Sequence, residues 1–301
     1  MAKTFRTFSL LLGVVVAAIG TTWASPPVAL IKVGVVKGLL RDIDPRLFPV
    51  VATAFSTVME SQTGLAGQLL MMDSAEDAGQ RISKGELQLG VLSGVEYGWM
   101  MKKQPELRSL MVCAIDSGAL QAVLVVAKDS RAKTIQDCKG ETLTIPHGLR
   151  SDTRLFLSHR CRENGASLQQ MFPKTIRASS VEEALDSVVD GVTQLVLVER
   201  SGLRMFERRK PARFNRLAVL EQSASFPPSV IVFRQGALDN NTLDKFRDGM
   251  STAHKTPVGV HLMTLMNIKQ FEPITADYQK SVDAILKTYP APATDTIPPQ
   301  L

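Results

Sequence analysis

Short apolar runs alternate with longer stretches of helical periodicity along most of the chain. IKVGVV (31–36), GQLLMM (67–72) and LQLGVL (87–92) are continuous apolar runs of the kind that form buried parallel strands. Between the first two, Phe48, Val51, Ala52, Phe55 and Val58 put one apolar face on a helix expected over residues 44–62, with Pro45 in its first turn. Ala75, Ala78 and Ile82 do the same for a helix capped by Asp73 or Ser74, and a further helix is expected over 95–103. Three strand–helix units in succession predict an open α/β sheet with right-handed crossovers. LRSLMVCAI then reads as a strand that breaks at Asp116-Ser117-Gly118, and QAVLVVA runs on directly. A strand passing from one lobe into another has that form.

The alternation repeats beyond the break. A short helix over 134–139 ends at Gly140, ETLTI is a strand, and a helix over 152–164 closes at Gly165. A short strand at 174–178 precedes a helix capped by Ser180, with Val181, Ala184, Leu185 and Val188 on one face. QLVLV, a basic helix at 203–210 and LAVLEQS follow. Phe226-Pro227-Pro228 breaks the chain a second time before SVIVF, and the remainder is expected to be helical over 240–254, 257–266 and 275–289. Two breaks of this kind predict a two-lobed α/β protein, with two open sheets flanked by helices and joined by a two-stranded hinge. Lobe 1 is discontinuous (25–118 and 228–290) and lobe 2 is inserted (119–227). The proline-rich end, 291–301, is expected to be disordered.

The first residues do not belong to that pattern. Lys3 and Arg6 precede an apolar core, FSLLLGVVVAAIG, and Thr22-Trp23-Ala24 offers a small residue before Ser25. Residues 1–24 read as a secretory signal peptide, which implies a periplasmic or extracellular protein; the alternative is an uncleaved N-terminal membrane tether. Composition adds little: 45% hydrophobic and 21% charged residues in 301 positions are ordinary for a folded chain with a sizeable core. The formal charge of +6 comes from scattered basic residues, so no nucleic-acid track is expected, while an acidic small ligand suits it. Three cysteines cannot all pair; Cys113 reads as a buried hydrophobe, and Cys138 and Cys161 leave a disulfide open. Neither they nor the four histidines have metal spacing, and no cofactor is expected.

Ligands of open α/β sheets sit beyond the carboxyl ends of strands, against helix N-termini. The loops that qualify are Lys37-Gly38, Ser93-Gly94, 116–121, 147–153 and 199–202. The most suggestive is TIPHGLRSDTRLF, where a strand stops at Pro146 and small polar residues open a helix. One reading is a plain N-cap by Ser151 or Asp152 with Arg150 solvated. The other is an anion socket, in which backbone amides, the Ser151 and Thr153 hydroxyls and the planar fork of Arg150 face the cleft. Asp152 would repel an anion there, as would Glu96 beside Tyr97 if it faced inward. Lys37 is the cation that follows the first strand, and Ser93, Tyr97 and Gln121 stand in the other candidate loops. No nucleophile elbow, P-loop or dinucleotide fingerprint suggests an enzyme.

With KVGVV, GELQLGVLSGVEYGW, AVLVVAKDSRAKTIQDCKGETLTI and SSVEEALDSVVDGVTQLVLV in this order, the chain resembles the substrate-binding proteins of phosphate, phosphite and phosphonate ABC transporters, which are type II periplasmic binding proteins. The likeness runs over about residues 31–289. It implies a two-lobed protein that closes by a hinge on a small anion and delivers it to a membrane permease; a monomer is expected. It also implies that Tyr97 stands beside the ligand and that Ser151 falls in the family's Ser-Thr-Ser anion triplet. That triplet reads Arg150-Ser151-Asp152 here, and Leu120, Ala122, Ser180 and Leu195 replace other residues expected to coordinate phosphonate. The substitutions leave the ligand open. A sensory role, in which the same fold signals to a membrane receptor or kinase, is the alternative.

Overall fold

In the computed structural model, which describes residues 30–40, 43–115 and 120–292, the apolar runs form the strands of two separate sheets. Strands β1 (Ile31–Val36), β2 (Gly67–Met72), β3 (Leu89–Leu92) and β4 (Leu107–Ala114) precede β5 (Ala122–Ala127), β6 (Thr142–Pro146), β7 (Lys174–Ala178), β8 (Leu195–Glu199) and β9 (Leu217–Gln222); β10 (Val230–Arg234) and β11 (Gln270–Pro273) follow. One sheet has the order β11-β4-β10-β3-β1-β2 and the other β7-β6-β8-β5-β9. The chain therefore leaves the first sheet after β4 and returns to it at β10.

The helices are α1 (Phe48–Val58), α2 (Ala75–Ser83), α3 (Gly94–Lys103), α4 (Ser151–Glu163), α5 (Leu168–Met171), α6 (Val181–Val189), α7 (Arg200–Arg209), α8 (Pro211–Phe214), α9 (Asn240–Thr252), α10 (Pro257–Met266) and α11 (Ala276–Thr288). They cover both faces of each sheet, as parallel strands buried on two sides require. An apolar cluster under α1, α9 and α10 includes Val51, Phe55, Phe246 and Leu262. A second, with Val123, Val196, Leu185 and Phe206, lies under α6 and α7. A third holds Tyr97, Tyr278 and Val232 together with Leu124, Leu197 and Phe226, so the two sheets share one continuous apolar contact.

The sheets are mixed. β1, β2 and β3 are parallel, as are β6, β7 and β8, but β5 and β9 run antiparallel to their neighbours, as do β10 and β11. β10 reaches its place between β3 and β4 from the return crossing and not through a helical crossover, so the parallel constraint does not apply to it. The two crossings touch: Leu120 and Phe226 form an antiparallel bridge, and the Phe226 amide donates to the Leu120 carbonyl at 2.7 Å.

Several boundaries differ from the periodicity. The helix expected over 44–62 is a 3-10 turn, then α1, then a π-turn over Met59–Thr63 that stops at Gly64 in a left-handed conformation (φ 67°). α7 begins at Arg200, three residues before the apolar pattern, because the end of β8 feeds straight into it. α5 and the edge strand β11 fall in stretches between the expected elements; β11 buries only Phe271, too little to leave an apolar run. Cys138 and Cys161 form no disulfide. Both are buried free thiols, as is Cys113. Burial pushes all three thiols up, to about 12 for Cys113 and about 11 for the other two, which leaves them inert at neutral pH. Among the described residues no helix is long and apolar enough to cross a membrane. The expected signal peptide, the 116–119 stretch of the first crossing and most of the proline-rich tail lie outside the described residues.

Candidate functional site

Two helix mouths, one from each sheet, lie close enough for their charges to interact. In the first sheet β3 ends at Leu92, and Ser93 caps α3. The Ser93 hydroxyl accepts from the Glu96 amide at 3.3 Å while the Glu96 carboxylate accepts from the Ser93 amide at 3.1 Å. This reciprocal pair satisfies two otherwise orphaned donors, and Glu96 faces its own helix mouth. Tyr97 packs on Tyr278 with ring centroids 6.4 Å apart, and the Tyr278 hydroxyl donates to the Pro228 carbonyl at 3.1 Å. That bond ties α11 to the return crossing.

In the second sheet β6 ends at Pro146, and the chain turns through Gly148 (φ 75°) into α4. The cap position is Arg150, whose side chain caps nothing; Ser151 and Asp152 are the first two residues of the helix. Neither acts as the cap that the sequence allows. The Arg150 amide donates instead to Glu199 Oε1 at 3.0 Å, so a carboxylate from the end of β8 occupies the helix mouth. The Arg150 guanidinium is not solvated either. Its Nε and Nη2 lie 3.4 and 3.3 Å from Asp152 Oδ2, and the two side chains are only 13% and 4% exposed.

Around this pair Leu120, Gln121, Thr153, Glu199, Arg200, Ser201 and Phe226 close a space of about 10 Å³, about the room of one water. Gln121 is held by its own contacts, with Nε2 donating to the Ser223 carbonyl at 3.1 Å and its carbonyl accepting the Arg200 amide at 2.9 Å. Of the residues singled out from the sequence, Gln121, Arg150 and Thr153 therefore come together, with Ser151 next to them in the chain. Lys37 does not join them. It is half exposed and pairs with Asp73. Ser93 and Tyr97 lie in the α3 wall and do not line the space. Asp152, Glu199, Arg200, Ser201 and Phe226 line it without having been selected as binding residues. The Ser93-x-x-Glu96 spacing is the sequence mark of a capping box and could have placed Glu96.

The two mouths are electrically coupled. Glu96 is buried, and burial raises its pKa above the ordinary carboxylate value; Ser93 opposes the shift, the Asp152 charge adds to it and the Arg150 charge opposes it. A carboxylate with a raised native pKa holds its proton in the fold over a pH range where the unfolded chain has lost it. Stability therefore falls as pH rises from the ordinary carboxylate range to the native pKa. Glu96→Gln keeps an acceptor for the Ser93 amide and removes the charge. The variant is expected to be more stable than the parent at neutral pH and to lose that downward slope. Urea unfolding at intervals from pH 4.5 to 8 measures both, and parallel pH curves for the two proteins would contradict the assignment.

A larger groove, of about 710 Å³, lies at the other end of β5 among Lys128, Asp129, Asp190 and Arg216. Its charges are balanced and it is open, so it lacks the convergent donors of the α4 mouth. Among the described residues no group of three or more His, Cys, Asp or Glu side chains could hold a metal ion.

A family model described as the periplasmic substrate-binding protein of phosphonate ABC transporters matches residues 44–278. Solved structures share the fold. A binding-protein component of an ABC phosphonate transporter from Pseudomonas aeruginosa superposes with a TM-score of 0.55 at 15% identity, covering 86% of each chain. PhnD1 from Prochlorococcus marinus, in complex with methylphosphonate, gives 0.58 at 14% identity over 86% of this chain and 98% of its own. A Xanthomonas citri protein bound to ATP gives 0.60 at 14% identity over 86% and 96%. No curated protein sequence matches.

Proposed function

Because this chain belongs to the family of periplasmic substrate-binding proteins of phosphonate ABC transporters, we propose that it is exported as a monomer, closes its two lobes on a small phosphonate- or phosphate-like oxyanion at the α4 mouth, and hands that anion to a membrane permease. The observation that carries the ligand site is Arg150. A guanidinium set almost wholly out of solvent at a helix N-terminus offers both a planar fork and the positive end of the helix dipole to an oxyanion. Gln121, Ser151 and Thr153 complete the lobe 2 half, and the α3 mouth with Ser93 and Tyr97 is the wall against which it closes. The crossings at Leu120 and Phe226 are the hinge, since all passage between the sheets runs through them. No catalytic role is proposed, and the family's description favours delivery to a transporter over sensing.

The test is a thermal-shift screen of the mature protein against phosphate, phosphite, methylphosphonate, longer phosphonates, sulfate and small carboxylates. A ligand present at about 100 times its dissociation constant adds about 2.7 kcal/mol. A clear rise in melting temperature with a phosphonate or phosphate is expected. No rise with any oxyanion would contradict the reading.

A further inference from the structure

The Arg150–Asp152 pair is more buried than the ion pairs of Arg160 with Glu221 or Lys210 with Asp186, yet its contacts are longer. Arg160 Nε reaches Glu221 at 2.6 Å. Arg150 brings two donors, at 3.3 and 3.4 Å, to a single oxygen of Asp152. A fork-to-fork pair uses both carboxylate oxygens at roughly 2.7–2.9 Å. Asp152 makes no such pair with a residue two positions away across the first turn of α4. Its carboxylate holds the guanidinium without saturating it.

We propose that Asp152 is an internal stand-in for the ligand's oxyanion: it occupies the Arg150 fork, the ligand binds by displacing it, and it thereby sets the affinity of the site. The inference rests on the α4 mouth being the anion site. A phosphonyl or phosphate group has oxygens free to meet Nε and Nη2 separately, so the exchange gains two short charge-assisted bonds in place of two long ones. It also leaves the displaced carboxylate facing the incoming anion in a space lined by Glu199, with Glu96 close enough to feel its charge. That repulsion is a constant cost to any anion that enters. Asp152 thus makes the site discriminating: only a ligand that engages both Nε and Nη2 with separate oxygens outcompetes it.

The closing experiment compares the full mature protein with Asp152→Asn and Asp152→Ser by calorimetric titration, using methylphosphonate and inorganic phosphate as probes. Both variants lack the competing charge, and Asn keeps the side chain's shape. At least one variant is expected to bind a probe ten or more times as tightly as the parent. Phosphate is also expected to raise the melting temperature of the variants more than that of the parent, because it replaces the missing carboxylate on Arg150. Equal or weaker binding by folded variants overturns the stand-in role while leaving the anion site intact. If neither parent nor variants bind either probe, the anion site and the stand-in role fall together. Loss of fold in both variants, unrelieved by phosphate, assigns Asp152 a purely structural role and overturns the proposal.

Discussion

Arg150→Ala is expected to weaken oxyanion binding by on the order of 2 kcal/mol, about thirtyfold, because the ligand loses a charge-assisted fork in a site nearly closed to water. The same substitution is expected to destabilise the fold by about 3 kcal/mol. In the plain-cap reading of the sequence Arg150 is solvated and its loss costs little; the structure instead leaves its side chain 13% exposed against Asp152. Asp152 is almost fully buried, and removing Arg150 strands its charge beside Glu96. Uncompensated buried charge is the costly outcome, more so than the loss of the pair itself. Combining Arg150→Ala with Asp152→Asn should restore much of the stability while binding stays far weaker than in Asp152→Asn alone, which separates the two effects. Urea unfolding measures the first and calorimetric titration the second. If Arg150→Ala unfolds and binds like the parent, Arg150 is neither the anchor of the pair nor the ligand's partner.

Gly94→Ala should cost about 2–3 kcal/mol of stability, while Gly38→Ala should stay within about 0.5 kcal/mol of the parent. Both glycines follow strands of the first sheet. A Cβ on Gly38 would meet nothing within 4 Å. A Cβ on Gly94 would lie 2.5 Å from Pro227 Cβ and 2.6 Å from the Pro227 carbonyl oxygen. Those atoms belong to the return crossing, and Pro227 cannot rotate out of the way as a long side chain can. Relief requires α3 and the crossing to separate, which moves Glu96 away from the α4 mouth. Equal unfolding midpoints for the two variants would show that the crossing yields freely and does not fix the α3 mouth.

The apolar runs carried the two-sheet architecture because the inner strands of each sheet are buried on both faces, as in AVLVVA and LVLVE, and such segments have no alternative to an apolar composition. The chain changes sheet between β4 and β5 and again between β9 and β10, the two stretches in which an apolar run is interrupted by turn residues and then resumed. β11 left no such trace, since a four-residue edge strand with one buried side chain needs neither length nor alternation.

The candidate site was legible as a place in the fold but not as a set of contacts. TIPHGLRSDTR announced a strand-turn-helix mouth, and Arg150, Thr153 and Gln121 do converge there. What the sequence concealed is the carboxylate from Glu199, 49 residues away, that takes the Arg150 amide and frees Ser151 and Asp152 from capping. Local preference favours Ser or Asp as the cap, and a tertiary contact outweighs a preference worth about 1 kcal/mol.

A crystal structure of the protein grown with methylphosphonate tests the central claim most directly. The account predicts the phosphonyl oxygens on Arg150 Nε and Nη2 at the mouth of α4, Asp152 turned away from the guanidinium, and the lobes closed about the Leu120 and Phe226 crossings. Methylphosphonate bound elsewhere, with Arg150 still on Asp152, would contradict it.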